Sequence, residues 1–172
     1  LRLADLRGAV LDRAVLGGWL ASARLDGASL AWTSFRGAKL GHASLRRVQG
    51  RFASFEDAEI ESAIFDDTDL TGSYFDRSRG LGARFAGAIL ADADLLHVFL
   101  AYTNFSGADL RGARLTGANL AHANLSRANL RDAMLIGVYM VAADLTGADL
   151  RGANLSGTNL TRARLSGARL AG

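Results

Sequence analysis

From Leu20 onward a large apolar side chain returns at every fifth residue: Leu20, Leu25, Leu30, Phe35, Leu40, Leu45 and, after Gly50, Phe55, Ile60, Phe65, Leu70 and Phe75. After Gly80 the series resumes with Phe85, Leu90, Leu95, Leu100 and Phe105 and runs on to Leu170, with Met140 taking one place in it. A helix repeats its faces about every 3.6 residues and a strand every second residue, so neither carries this period as one continuous element. A short extended segment followed by a turn does. Two residues before each centre, from Ala23 to Ala168, the side chain is always Ala, Ser, Thr or Val. In an extended segment residues two apart face the same side, so the centre and this small residue both point inward. The remaining positions point outward. Gly is common two residues after the centre, as at Gly27, Gly37, Gly107 and Gly112, where a tight turn needs a positive φ.

The first residues follow the same pattern in another phase, with centres Leu1, Leu6, Leu11 and Leu16 preceded by Ala4, Ala9 and Ala14. Leu16 to Leu20 is a four-residue step through Gly17-Gly18-Trp19, so a kink or irregular turn is expected near 17–20. Gly50 and Gly80 mark two further expected irregular points. Residues 1–172 form a single repeat domain on this reading. The chain opens at Leu1 and stops at Ala171-Gly172 in mid-pattern, as a trimmed chain or a part of a longer protein would.

The unit is clearest in Ala108-Asp109-Leu110-Arg111-Gly112, and its first three letters return in Ala118-Asn119-Leu120, Ala123-Asn124-Leu125, Ala128-Asn129-Leu130, Ala143-Asp144-Leu145, Ala148-Asp149-Leu150 and Ala153-Asn154-Leu155. This resembles the pentapeptide-repeat family, whose motif is A(D/N)LXX, over essentially the whole chain. The resemblance implies an all-β fold, a right-handed quadrilateral β-helix in which four repeats make a twenty-residue coil. The chain then makes about eight coils, a rod of ~40 Å at ~4.8 Å per stacked strand. Stability in such a rod is nearest-neighbour, coil on coil. No amphipathic helix to cap an end is visible.

On a twenty-residue coil, residues twenty apart stack. Phe35, Phe55 and Phe75 form one internal column, and Phe65, Phe85 and Phe105 another on the opposite face. Outside, Arg111, Arg131 and Arg151 form a ladder with Asp109, Asn129 and Asp149 beside it, a surface expected to neutralise itself. Glu56, Asp57, Glu59, Glu61, Asp66, Asp67, Asp69 and Asp76 girdle about one coil on all sides. They form a solvated belt or a docking site for a basic partner. Several outward positions are apolar: Phe99 and Tyr139 in one column, Leu96 and Ile136 in the next, with Tyr102, Val141 and Leu81 close by. An exposed patch of this kind marks a contact with a partner.

Chemistry finds little footing. There is no Cys, so no disulfide frame, thiolate zinc site or cysteine nucleophile. His42 and His122 share a column but lie four coils apart, and outward residues on a convex rod diverge, so no metal site, cofactor site or catalytic set is expected. Net charge is +3, from 20 basic and 17 acidic residues, too balanced to argue direct nucleic-acid binding. No signal peptide opens the chain, and no uncharged stretch reaches the ~18 residues of a membrane span, so a cytoplasmic protein is expected. The expected function is a non-catalytic protein-interaction or scaffold module, with an unidentified protein partner or a homodimer through a rod end or the apolar patch. The resemblance implies an alternative, DNA mimicry directed at a topoisomerase such as DNA gyrase and linked to antibiotic resistance. That mechanism needs an acidic face running along the rod, and here the acids form a belt.

Overall fold

Each five-residue unit builds one side and one corner of a coil. In the computed structural model, which describes residues 1–170, the residue just before each centre forms a parallel bridge to the residue twenty positions on, as in Arg24 to Ser44, Ser44 to Ile64 and Ile64 to Arg84. Four such bridges fall in every twenty residues, so the chain is a four-sided parallel β-solenoid. Its first face carries the column Trp19, Lys39, Glu59, Arg79, Phe99, Asn119, Tyr139 and Asn159. The second carries Arg24 to Arg164, the third Ser29 to Arg169 and the fourth Ser34 to Asn154. None of the described residues is helical, and no helix is long and apolar enough to cross a membrane.

The backbone hydrogen bonds explain the unit. In 120–124, Leu120 N–H donates to the Tyr139 carbonyl at 2.8 Å, His122 N–H to Val141 at 2.9 Å, and Asn124 N–H back to Thr103 at 2.9 Å. Ala123 N–H closes the turn onto the Leu120 carbonyl at 3.1 Å. The second turn residue, here His122 with φ 57°, lies in the left-handed region, the mark of a type II turn. Leu, Arg, Asp, His, Phe, Tyr and Trp all hold such corners, at a cost of roughly 1 kcal/mol each relative to Gly. No Val, Ile or Thr holds one among the described residues. Their branched Cβ is excluded there and is found one position earlier, at Thr71, Ile136 and Val141.

One donor remains in each unit, the N–H of the first turn residue, and the Asp or Asn two positions before it accepts this bond. Ala121 N–H donates to Asn119 Oδ1 at 3.1 Å, Ser126 to Asn124 at 3.0 Å, Ser156 to Asn154 at 3.0 Å and Thr161 to Asn159 at 3.0 Å. This is the physical reason for the second letter of the motif: the Asx side chain satisfies the donor that the coil leaves over. In the units of Ser29, Ser44 and Arg84 an Asp in the preceding coil takes the role. Asp12 accepts from Ala31 N–H at 2.9 Å, Asp26 from Arg46 N–H at 3.0 Å and Asp66 from Ala86 N–H at 3.1 Å.

The centres and small residues fill the interior, and from Leu20 to Ala148 they are closed to solvent. Phe35, Phe55 and Phe75 stack with ring centroids 4.9 and 4.7 Å apart; Phe65, Phe85 and Phe105 stack at 4.7 and 5.0 Å. The two ladders also meet edge-to-face across the core, at 5.4 Å for Phe55–Phe65 and 5.7 Å for Phe75–Phe85. They form one interlocked aromatic block. Gly50 and Gly80 keep the regular turn pattern; what changes there is the filling. A Cβ on Gly80 would lie 2.6 Å from Ile60 Cγ1 and 2.8 Å from Leu100 Cδ2, because these neighbours have taken the vacant volume. Around 17–20 the bridges run nineteen residues apart through Val15 to Ser34 and twenty apart from Trp19 to Lys39. Gly17-Gly18 forms a bend with Gly18 at φ 83°, and no small inward residue separates it from Trp19.

Candidate interaction face

On the first face, the stretch from Leu96 to Thr161, corners included, holds no Asp, Glu, Lys or Arg. The β-bridges align Phe99, Asn119 and Tyr139 in its middle column. One corner carries Leu96, Thr116 and Ile136; the other carries Tyr102 with Ala101, His122 with Ala121, and Val141 with Ala142. Phe99 is 53% exposed, Tyr102 61%, Tyr139 46% and Leu81 57%, whereas Leu100 beside them is wholly buried. Leu96, Ile136 and Val141 are half-buried. The coil geometry thus gathers all six residues of the apolar patch on one side of the rod. The Arg79 guanidinium lies over the Phe99 ring at 5.6 Å, and the Tyr102 and His122 rings stack at 4.7 Å. A recess of about 380 Å³ lined by Asp57, Glu59, Arg77, Arg79 and Phe99 joins this patch to the acidic belt.

The belt itself is knit into its neighbours. The preceding coil is basic and lies beneath it: Arg36 reaches Glu56 at 3.6 Å, Lys39 reaches Glu59 at 3.5 Å, Arg46 reaches Asp66 at 3.3 Å and Arg51 reaches Asp69 at 4.0 Å. From above, Arg77 pairs with Asp57 at 2.9 Å and Arg84 with Asp66 at 2.8 Å. The Arg77 hydrogen bond holds the Asp57 carboxyl below its ordinary value. Asp67 has no such partner among the described residues and leans over Gly87, whose missing side chain leaves it room. These pairs follow from spacing: Arg36/Glu56, Lys39/Glu59 and Arg46/Asp66 are each twenty apart. Reading the acids alone hides them.

The Arg ladder is likewise paired. Arg111 meets Asp109 at 2.6 Å and Arg151 meets Asp149 at 2.5 Å. Hydrogen bonding from these arginines lowers both carboxyls, Asp149 to about 2. Arg131, beside the neutral Asn129, has no ion pair among the described residues. Its N–H donates to Asn129 Oδ1 at 3.4 Å. The described residues bring together no group of His, Asp or Glu able to hold a metal ion.

A second aromatic feature escaped the sequence reading. Trp32 and Phe52 stack at 4.5 Å on one corner, and Phe52 lies against Gly72 in the next coil. The signal was present as a Trp, Phe and Gly at successive twenty-residue steps.

Parallel coils of one short repeat around a core of side-chain ladders define a repeat β-solenoid. A family model for pentapeptide repeats matches it in eight copies, over residues 20–49, 81–117, 113–152 and 139–172. The chain belongs to the pentapeptide-repeat family. Among solved structures it is similar to HetL, a pentapeptide-repeat protein involved in heterocyst differentiation regulation from the cyanobacterium Nostoc sp. strain PCC 7120, at 26% identity over 96% of this chain and 89% of HetL, with a TM-score of 0.35. It is also similar to full-length QnrB1, a plasmid-mediated fluoroquinolone resistance protein, at 18% identity over 94% of this chain and 92% of that one, with a TM-score of 0.44. No curated protein matches the sequence.

Proposed function

We propose that this chain is a non-catalytic protein-interaction module, a rigid right-handed rod that docks through its first face at Leu96, Phe99, Tyr102, Ile136, Tyr139 and Val141. One observation carries this reading: an uncharged face with half-exposed aromatics on a molecule whose other surfaces are laced with ion pairs. Exposed contiguous apolar surface of this kind is the usual mark of a contact site. Aromatic residues clustered at its centre are the residue types that dominate binding energy in interfaces. The alternative, DNA mimicry toward a topoisomerase, gains no support from the belt, because Glu56, Glu59, Asp66 and Asp69 already have cationic partners from the same chain.

The test is a pull-down that compares the chain with a Phe99→Asp/Tyr139→Asp variant of unchanged far-UV circular dichroism. A protein retained by the parent and lost by the variant supports the reading. Identical capture by both would sink it, and capture of a topoisomerase abolished by reversing Glu56, Asp57, Asp66 and Asp67 would move the function to the belt.

A further inference from the structure

The apolar face has a hidden symmetry. Counted in coils from Asn119, Phe99 lies one coil below and Tyr139 one coil above in the same column. Leu96 and Ile136 flank Thr116 in the same way along one corner. Tyr102 with Ala101, and Val141 with Ala142, flank Ala121 and the exposed His122 along the other. Three parallel columns thus read apolar, small or polar, apolar about one coil. A surface that matches itself when turned end for end is what a two-fold interface requires, since each contact in it occurs twice.

We propose that this face pairs with a second copy of the chain, antiparallel, about a two-fold axis lying across the rods at Asn119. The inference rests on the reading of this face as a docking surface and names its occupant. In this arrangement Phe99 of each copy meets Tyr139 of the other, Leu96 meets Ile136, and Asn119 meets its own counterpart on the axis.

Charge decides the direction. A parallel pair about an axis along the rods would oppose Lys39 to Lys39, Glu59 to Glu59 and Arg79 to Arg79 down the same column, and like charges face to face are unfavourable. The antiparallel pair sets Arg79 opposite the neutral Asn159 and brings Arg162 of one copy within a coil of Glu61 of the other. Glu61 forms no ion pair among the described residues. Size sets the strength. Three aromatic rings, each about half exposed, with four aliphatic neighbours amount to several hundred Å² per copy, given roughly 150–250 Å² for a whole aromatic side chain. That is the small end of specific interfaces, where association is weak and transient.

Sedimentation velocity over a roughly hundredfold concentration range into the high micromolar is expected to show a monomer–dimer equilibrium. Phe99→Arg alone and Tyr139→Asp alone are expected to weaken dimerisation at least tenfold, each removing two contacts, with far-UV circular dichroism unchanged. The double variant is expected to recover it, because the introduced guanidinium then faces the introduced carboxylate. Asn119→Cys, in a chain with no other Cys, is expected to give a disulfide-linked dimer under mild oxidation. A parent that stays monomeric at all concentrations overturns the inference, as does a double variant no better than the singles. If a monomeric parent still captures a partner through Phe99 and Tyr139, only the self-pairing fails and the docking face stands. If neither self-association nor capture depends on those residues, both fail.

Discussion

The Asp or Asn before each centre does two separable jobs, and substitution separates them. As a hydrogen-bond acceptor it satisfies the first turn N–H. As a charge, where it is Asp, it binds Arg. Asn124 does the first only, accepting from Ser126 N–H at 3.0 Å. Asn124→Ala is expected to lower stability by about 1 kcal/mol in denaturant titrations, the net worth of one satisfied backbone donor, while Asn124→Asp changes it little. Asp149 does both, and its carboxyl lies at about 2 instead of 3.8, chiefly through the Arg151 hydrogen bond. A carboxyl depressed in the folded state stabilises fully above its unfolded value and loses that contribution as pH falls through the folded one. The melting temperature should therefore hold steady above about pH 5 and fall between about pH 4 and pH 2. Asp149→Asn keeps the acceptor and loses the ion pair. It is expected to lower the melting temperature at pH 7 and to shrink the acid fall by the same amount, so that the two proteins converge at about pH 2, and an acid limb identical to the parent's would show that Asp149 does not contribute to it.

Within a coil, the inward slots are the tightest constraint. Ala118 is 1% exposed, and a longer side chain there has nowhere to go. Ala118→Leu is expected to overpack the coil and cost about 1–3 kcal/mol or more; an unchanged melting curve would mean the inward face is misassigned. Phe85→Ala acts in the opposite sense. It removes a ring stacked on Phe65 and Phe105 and edge-on to Phe75, and is expected to cost about 3–5 kcal/mol.

These inward contacts were legible in the sequence because period and size suffice to place them: Phe35 over Phe55 over Phe75 needs only a twenty-residue coil. Columns on the surface were legible for the same reason, which is how Phe99 and Tyr139 could be set together. What period does not reveal is which way a polar side chain turns. The bond from Ala121 N–H to Asn119 Oδ1 and the tie of Arg46 and Arg84 to Asp66 depend on rotamers and on charge in adjacent coils. The acidic belt therefore looked bare from sequence although most of it is paired. Gly50 and Gly80 differ in a related way: an empty centre suggested an irregular point, but Leu70 and Val48 take up the space at Gly50, and Ile60 and Leu100 at Gly80, while the backbone continues.

Along the rod, charge is laid down in blocks. Residues 1–51 carry nine basic and three acidic groups, 52–109 three and eleven, and 110–172 eight and three. Ion pairs between coils tie the blocks at their borders, and the apolar face begins where the acidic block gives way to the second basic one. Faces of this molecule exist only because every coil is twenty residues long, and that dependence can be tested without substituting any of the six apolar residues of the patch. Deleting Ala113–Gly117 removes one whole unit and joins Gly112 to Ala118 with the five-residue phase intact. Coils should still close, since each centre again meets a centre. Nearest-neighbour stability predicts a melting temperature only a few degrees lower, about what 1–2 kcal/mol produces in a domain of this size. Every residue beyond the deletion, however, rotates by one side. Tyr139 moves into the column now held by Met134, a quarter turn from Phe99, and Asp94 loses the Arg114 partner it holds at 2.9 Å. The deletion is expected to leave the far-UV circular dichroism β-like and to abolish both self-association and partner capture. Deleting the full coil Ala113–Asp132 keeps both aromatics on the first face, one coil apart instead of two, and should preserve part of the binding. Equal binding by both deletions would mean that recognition does not read a face of the rod at all.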